Sequence, residues 1–213
     1  MHVVVLCYGE QVKSLPALLF SLNAQLRACD YCVVVSQGND CVSTCALFGV
    51  ELVCSAPPFH GFSAGYNRDL GASHLYTVYG KGDVLFLDGD CIPSPDLLRH
   101  HRSVLAASEP VLACGLRVNV DVAGKKTPDR RLGHPSTKSR LFVPGTDRLI
   151  LDQKQLLRHS VAWSCNMSAN VKALDLIRVS NTATGSVSGR LLHSMFDGKW
   201  GGEDTGFALA GYR

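Results

Sequence analysis

Val84-Leu85-Phe86-Leu87-Asp88-Gly89-Asp90 joins a short apolar run directly to two carboxylates separated by one glycine. The run follows the turn residues Gly80–Gly82 and predicts a buried strand over Asp83–Leu87. In extended backbone, residues two apart share a side, so Asp88 and Asp90 are spaced to meet one hard divalent cation, with Gly89 letting the chain bend around it. A turn in which one carboxylate caps the next helix is the plainer reading. Against it, two like charges this close repel unless a cation or proton lies between them.

Outward from this strand, short apolar runs alternate with helical spacing. Val3–Tyr8, Tyr31–Ser36, Val50–Cys54, Val111–Val120 and Val161–Cys165 read as strands. Leu15–Ala28, Cys41–Phe48, Ser63–Tyr79, Asp152–His159 and Val171–Val179 read as helices, as does a segment from the cap Ser94 and first-turn Pro95 to about Ala107. A last helix starts near Glu203. This is the pattern of an α/β domain with a central, mostly parallel sheet flanked by helices. At 213 residues and 46% hydrophobic content, one compact domain is expected. Asp121–Lys138, rich in Gly, Pro and charge, reads as a loop.

Apolar runs of four to six residues fall far short of the ~18 to 20 that a membrane span needs. The start Met1-His2-Val3-Val4-Val5-Leu6 reads as a strand rather than a leader, and a cytoplasmic protein is expected. The nine cysteines sit singly and mostly in apolar segments; Cys29/Cys32 and Cys41/Cys45 have metal-like spacing, but no second pair completes a zinc site. Reduced thiols are expected. Eight of the basic residues fall between Arg117 and Arg148 against three aspartates, an electropositive lip suited to an anionic ligand. Aromatic residues do not interleave with these charges, so nucleic acid is not the expected partner.

Trp200-Gly201-Gly202-Glu203-Asp204 is a second acidic turn, with two glycines between an aromatic face and a carboxylate pair. If the substrate is a nucleoside diphosphate sugar, a bound Mn²⁺ or Mg²⁺ neutralises the diphosphate that leaves, and only an acceptor hydroxyl remains to be deprotonated. One carboxylate within ~3 Å suffices for that, and Asp204 or Glu203 can supply it. Trp200 offers a flat face for a pyranose ring.

Four segments in order resemble the inverting, metal-dependent GT-A-fold glycosyltransferases of family 2: Val3–Tyr8, Gly61–Arg68, Phe86–Asp90 and Phe196–Asp204, the last preceded by Trp163–Ser168. The resemblance spans nearly the whole chain. It implies a single GT-A domain, residues 1–90 forming a nucleotide-binding half and 91–213 an acceptor and catalytic half. It implies a nucleotide-sugar site built from Tyr8, Asn39, Asp40, Gly65, Asn67, Arg68, Asp88, Gly89 and Trp200. Metal ligation by Asp88 and Asp90 is implied, with Asp204 as base and Glu203 as an acceptor contact. A UDP-sugar, UDP-glucose first, is the implied donor, and a glycan or glycoconjugate hydroxyl the acceptor. The Gly-Phe-x-x-Gly-x-Asn pattern at Gly61–Asn67 is similar to rhamnosyltransferase-like members and makes a rhamnose donor the alternative. The chain ends at Arg213, before the histidine that completes the metal shell in many relatives, and so reads as a piece of a longer polypeptide.

Two rival functions are weaker. A sugar nucleotidyltransferase needs a glycine-rich basic loop after the first strand, whereas Cys7-Tyr8-Gly9-Glu10-Gln11-Val12-Lys13 has one glycine and an acid there. A catalytically inactive sugar-nucleotide-binding module would have no use for the base at Glu203-Asp204.

Overall fold

The computed structural model describes residues 1–38, 40–56, 63–115, 118–120, 126–128, 165–183, 185 and 190. In chain order the elements are β1 (His2–Cys7), α1 (Leu15–Asn23), β2 (Tyr31–Ser36), α2 (Val42–Phe48), β3 (Glu51–Cys54), α3 (Ala64–Tyr79), β4 (Val84–Asp88) and α4 (Leu97–Leu105). There follow β5 (Leu112–Cys114), β6 (Val118–Val120), β7 (Lys126–Pro128), β8 (Asn166–Ala169) and α5 (Val171–Ala183).

Six strands form one sheet in the order β3-β2-β1-β4-β8-β5. The first four run parallel, and β8 lies antiparallel between β4 and β5. The strands are apolar on both faces because helices cover both. Along β1, Val3, Val5 and Cys7 join Leu15, Leu18, Leu19 and Leu22 of α1 in one core, while Val4 and Leu6 join Leu75 of α3 and Leu174 and Ile177 of α5 in the other. The same alternation along β4 sends Leu85 and Leu87 to the first layer and Val84 and Phe86 to the second.

Helix α3 is set by two features of its sequence. Ser63 caps it, its hydroxyl oxygen accepting the Tyr66 N–H at 3.4 Å. Gly71 faces the sheet, and a Cβ there would stand 2.6 Å from Val4 Cγ1 and 2.7 Å from Val35 Cγ2, so only glycine lets the helix lie this close to β1 and β2.

The α/β class and the parallel sheet match the sequence reading, and several boundaries move. The fourth helix starts at Leu97, with Asp96 rather than Ser94 at its cap, because Pro95 and Asp96 form a turn. Val111–Val120 divides into β5 and β6, and β6 pairs antiparallel with β7, a strand within the expected loop. Of the strand expected at Val161–Cys165 all but Cys165 lies outside the described residues; a strand is found just beyond it at Asn166–Ala169, where Met167 and Ala169 face the α5 core. The helices expected at Asp152–His159 and from Glu203 lie outside the described residues.

Candidate active site

From β1 the chain builds outward through β2 to β3, then returns to lay β4 on the other side of β1. This reversal is a switch point of the strand order, and the crevice at the carboxyl ends of the strands there, β1 and β4, is where open α/β sheets bind ligands. Asp88 ends β4 and pairs in register with Leu6 of β1. The chain then turns sharply: Gly89 N–H donates to the Leu6 carbonyl at 2.6 Å, and Cys91 N–H to the Asp88 carbonyl at 2.9 Å. A Cβ on Gly89 would come 3.1 Å from both the Leu6 carbonyl oxygen and Cys7 Sγ, so a side chain there would press on the end of β1.

Asp88 therefore closes the strand while Asp90 stands on the turn beyond it, so the two carboxylates do not share one stretch of extended backbone, and their surroundings differ. Asp88 follows Val84 and Phe86 onto the α3 side of the sheet, where Arg68 Nη2 donates to its Oδ1 at 2.6 Å. The Arg68 side chain is 4% exposed and that of Asp88 22%, so this ion pair is largely shielded from water. Asp90 is exposed, with the Cys91 thiol 3.7 Å from its Oδ1. The cation that relieves repulsion at Asp88 is thus a guanidinium. Asp69, the next residue after Arg68, is bound by Arg190 Nε at 2.6 Å, and that guanidinium lies 5.6 Å over the Tyr66 ring.

Other expected site residues gather at the same end. Tyr8 leaves β1 half-exposed and opens the short 3-10 turn Gly9–Lys13, where Gly9 takes a left-handed φ of 56°. Asp40 is exposed just before α2. Gly65 and Asn67 lie buried in the first turns of α3, and Asn67 Oδ1 accepts the Ser55 hydroxyl, tying the helix to the end of β3. Asn67 Nδ2 is buried with no hydrogen-bond partner among the described residues. Hydrogen bonds from the Cys7 thiol and the Ser36 hydroxyl lower the pKa of the buried Cys41 thiol against the opposing effect of burial. Asn39, Trp200, Glu203 and Asp204 lie outside the described residues.

On the α4 side is a buried polar cluster that spacing rules did not single out. His101 Nε2–H donates to Asn166 Oδ1 at 2.9 Å, and the Ser168 hydroxyl donates to His101 Nδ1 at 2.6 Å. Burial drives the imidazole down to about 4, so it is neutral at pH 7. The signal was present in the sequence: His101 occupies the buried stripe of α4 with Leu98, Val104 and Leu105, a core position holding a polar side chain.

No cluster of three His, Cys, Asp or Glu side chains able to hold a metal occurs among the described residues. Asp90 fits a mode in which one carboxylate and the phosphates of a substrate share the cation. No helix among the described residues is long and apolar enough to cross a membrane.

No family model and no curated protein sequence matches the chain. Solved structures do. Residues 1–349 of TarS from S. aureus match with a TM-score of 0.55 at 16% identity, over 100% of this chain and 55% of that one. The same TarS fragment in complex with UDP-GlcNAc matches with a TM-score of 0.51 at 15% identity, over 100% and 53%. The mannosyltransferase PcManGT from Pyrobaculum calidifontis, in complex with GDP-Man and Mn²⁺, matches with a TM-score of 0.51 at 16% identity, also over 100% and 53%. The chain spans about half the length of these structures, and its fold is that of the GT-A glycosyltransferases.

Proposed function

We propose that this chain is a glycosyltransferase domain that moves a hexosyl group from a nucleoside diphosphate sugar, UDP-glucose first, to a glycan hydroxyl. The observation that carries the reading is the Asp88-Gly89-Asp90 turn at the sheet's switch point, with Arg68 buried against the first acid and the second exposed to the crevice. TarS holding UDP-GlcNAc and PcManGT holding GDP-Man and Mn²⁺ share the fold, which supports a nucleotide-sugar donor and a divalent cation.

On this reading Arg68 and Asp88 form a pre-paired floor beneath the ribose and diphosphate, and Asp90 is the principal metal ligand. When bound, Mn²⁺ or Mg²⁺ would neutralise charge developing on the leaving diphosphate. Tyr8, Asn39 and Asp40 flank the nucleobase. Trp200 backs the sugar, Glu203 orients the acceptor, and Asp204 takes the proton from the acceptor hydroxyl as it attacks the anomeric carbon with inversion. A rhamnosyl nucleotide is the alternative donor.

Incubation with UDP-glucose, UDP-GlcNAc, dTDP-rhamnose and GDP-mannose in Mn²⁺, followed by chromatography for released nucleoside diphosphate, tests the assignment. One donor should be consumed by the wild type and not by Asp204→Asn, which should still bind it. Binding of a donor without transfer or hydrolysis under any condition would turn the reading into that of a binding module. A product with the donor's own anomeric configuration would remove the single-displacement step.

A further inference from the structure

The turn that carries Asp90 ends at a cysteine, and the strand beside it is entered through another. Cys91 N–H donates to the Asp88 carbonyl at 2.9 Å, so the chain folds back over Asp88 in a single tight turn. Cys165 stands opposite Asp88: Leu87 pairs with Asn166 in the antiparallel β4–β8 ladder, and the Asp88 N–H reaches the Cys165 carbonyl at 3.4 Å. Approaching Asp88 from these two directions, the side chains meet, and the Cys91 thiol is hydrogen-bonded to the Cys165 sulfur.

The two thiols differ in access. Cys91 is partly exposed and Cys165 is buried, the arrangement of an entry thiol with a resolving thiol behind it. A second hydrogen-bonded pair, Cys7 and Cys41, lies on the β1 side of the same turn, but both are 0% exposed and offer a dissolved oxidant no entry.

We infer that Cys91 and Cys165 close to a reversible disulfide that draws the Asp90 turn toward β8 and weakens the hold of Asp90 on a cation. The inference rests on the nucleotide-sugar reading above and adds a redox control to that site. The oxidant is a small-molecule disulfide such as oxidised glutathione. The Cys91 sulfur gives up its proton and attacks one sulfur of the oxidant, whose S–S bond breaks and releases a first thiol. Cys165 then gives up its proton and attacks Cys91 Sγ, releasing the second thiol. The two cysteines lose two electrons and two protons, and the oxidant gains them as two thiols. The hydrogen bond to Cys165, burial and the Asp88 and Asp90 carboxylates all disfavour a Cys91 thiolate, so the reaction is slow and needs excess oxidant. An S–S bond is ~2.05 Å long, well inside any contact between two thiols, so closing it moves the turn, whereas metal ligation tolerates only ~0.2 Å.

The test incubates the wild type, Cys91→Ser and Cys165→Ser with excess oxidised glutathione, maps their peptides without reduction, and titrates each calorimetrically with UDP in Mn²⁺. Oxidised wild type should yield a peptide joining Cys91 to Cys165 and bind UDP about tenfold more weakly, with affinity restored by dithiothreitol. The serine variants keep the exposed Cys29 and Cys54, and should bind UDP as the reduced wild type does before and after oxidant. Absence of the joined peptide, or its presence with unchanged UDP affinity, overturns the inference. An equal loss of affinity in the oxidised serine variants places the sensitive thiol elsewhere and overturns it too. All three results leave the donor site standing, whereas absence of Mn²⁺-dependent UDP binding to the reduced wild type overturns the donor reading and this inference with it.

Discussion

The two ends of the parallel sheet use carboxylates in opposite ways. At the amino end, the Asp30 side chain is 1% exposed and well supplied with donors: the Met1 amine lies 3.0 Å from Oδ1, the Arg27 N–H donates to Oδ2 at 2.8 Å, and Arg102 Nη2 closes on Oδ2. Burial alone would raise its pKa, but these donors outweigh it and hold the carboxyl below the usual range. At the carboxyl end, Asp88 is paired through Arg68 while Asp90, two residues on, is exposed with a thiol beside it. A carboxylate whose donors all come from the fold holds the fold together. A pair in which one acid is satisfied and its neighbour is exposed has capacity for a ligand.

That contrast breaks most visibly by exchanging the lesions. Asp90→Ala should reduce metal-dependent nucleotide-sugar turnover by roughly 10²- to 10³-fold, the scale of removing one electrostatic stabiliser, with an unchanged melting temperature by calorimetry. Asp30→Ala should do the converse. It leaves Arg102 without its carboxylate and should cost about 3–5 kcal/mol in denaturant unfolding, while nucleotide affinity of the folded fraction is kept. If Asp90→Ala proved as destabilising as Asp30→Ala, the distinction between the two ends would be gone.

Arg68→Met belongs between these extremes, because it leaves Asp88 beside the crevice without its guanidinium. Both stability and nucleotide affinity should fall, stability by about 2–4 kcal/mol. A variant that lost affinity alone would make Arg68 a ligand residue with no share in the fold.

Acid sharpens the comparison further. His101 binds its proton less readily in the folded chain, about 4 against about 6.5 unfolded, so protons favour the unfolded state between those values. Stability is fully present above pH 6.5 and should fall by about 3 kcal/mol as the pH drops to about 4. Asp30, with its carboxyl below the usual range, loses its contribution in the same direction at lower pH. His101→Phe should flatten the upper part of that profile, and an unchanged profile would mean that His101 titrates normally.

Gly71→Ala is the smallest expected effect on this scale, about 1–3 kcal/mol of overpacking against Val4 and Val35, with nucleotide affinity per folded molecule preserved.

Much of this was legible in the sequence because local rules and tertiary structure agreed. The apolar runs of β1, β2 and β4 are buried on both faces, and Asp88-Gly89-Asp90 falls at the end of β4 as its position after Leu87 predicts. What was not legible depends on contacts between distant segments. Arg68 meets Asp88 across 20 residues, where its sequence neighbour Asp69 offered a plausible partner, and Asp69 is taken by Arg190 across 121. His101 reaches Asn166 across 65 residues, and no spacing rule announces that pair. The turn at Gly89 also changes the reading of the acids, because alternation along a strand stops applying where the strand ends.

The most direct measurement is calorimetric titration of UDP and UDP-glucose into the wild type and Asp90→Ala, each with Mn²⁺ and with chelator. The account predicts Mn²⁺-dependent binding to the wild type, lost in chelator and in Asp90→Ala, with Asp30→Asn retaining it. Binding equally strong in chelator, or undiminished in Asp90→Ala, would contradict the assignment of Asp90 as the metal-holding acid of the crevice.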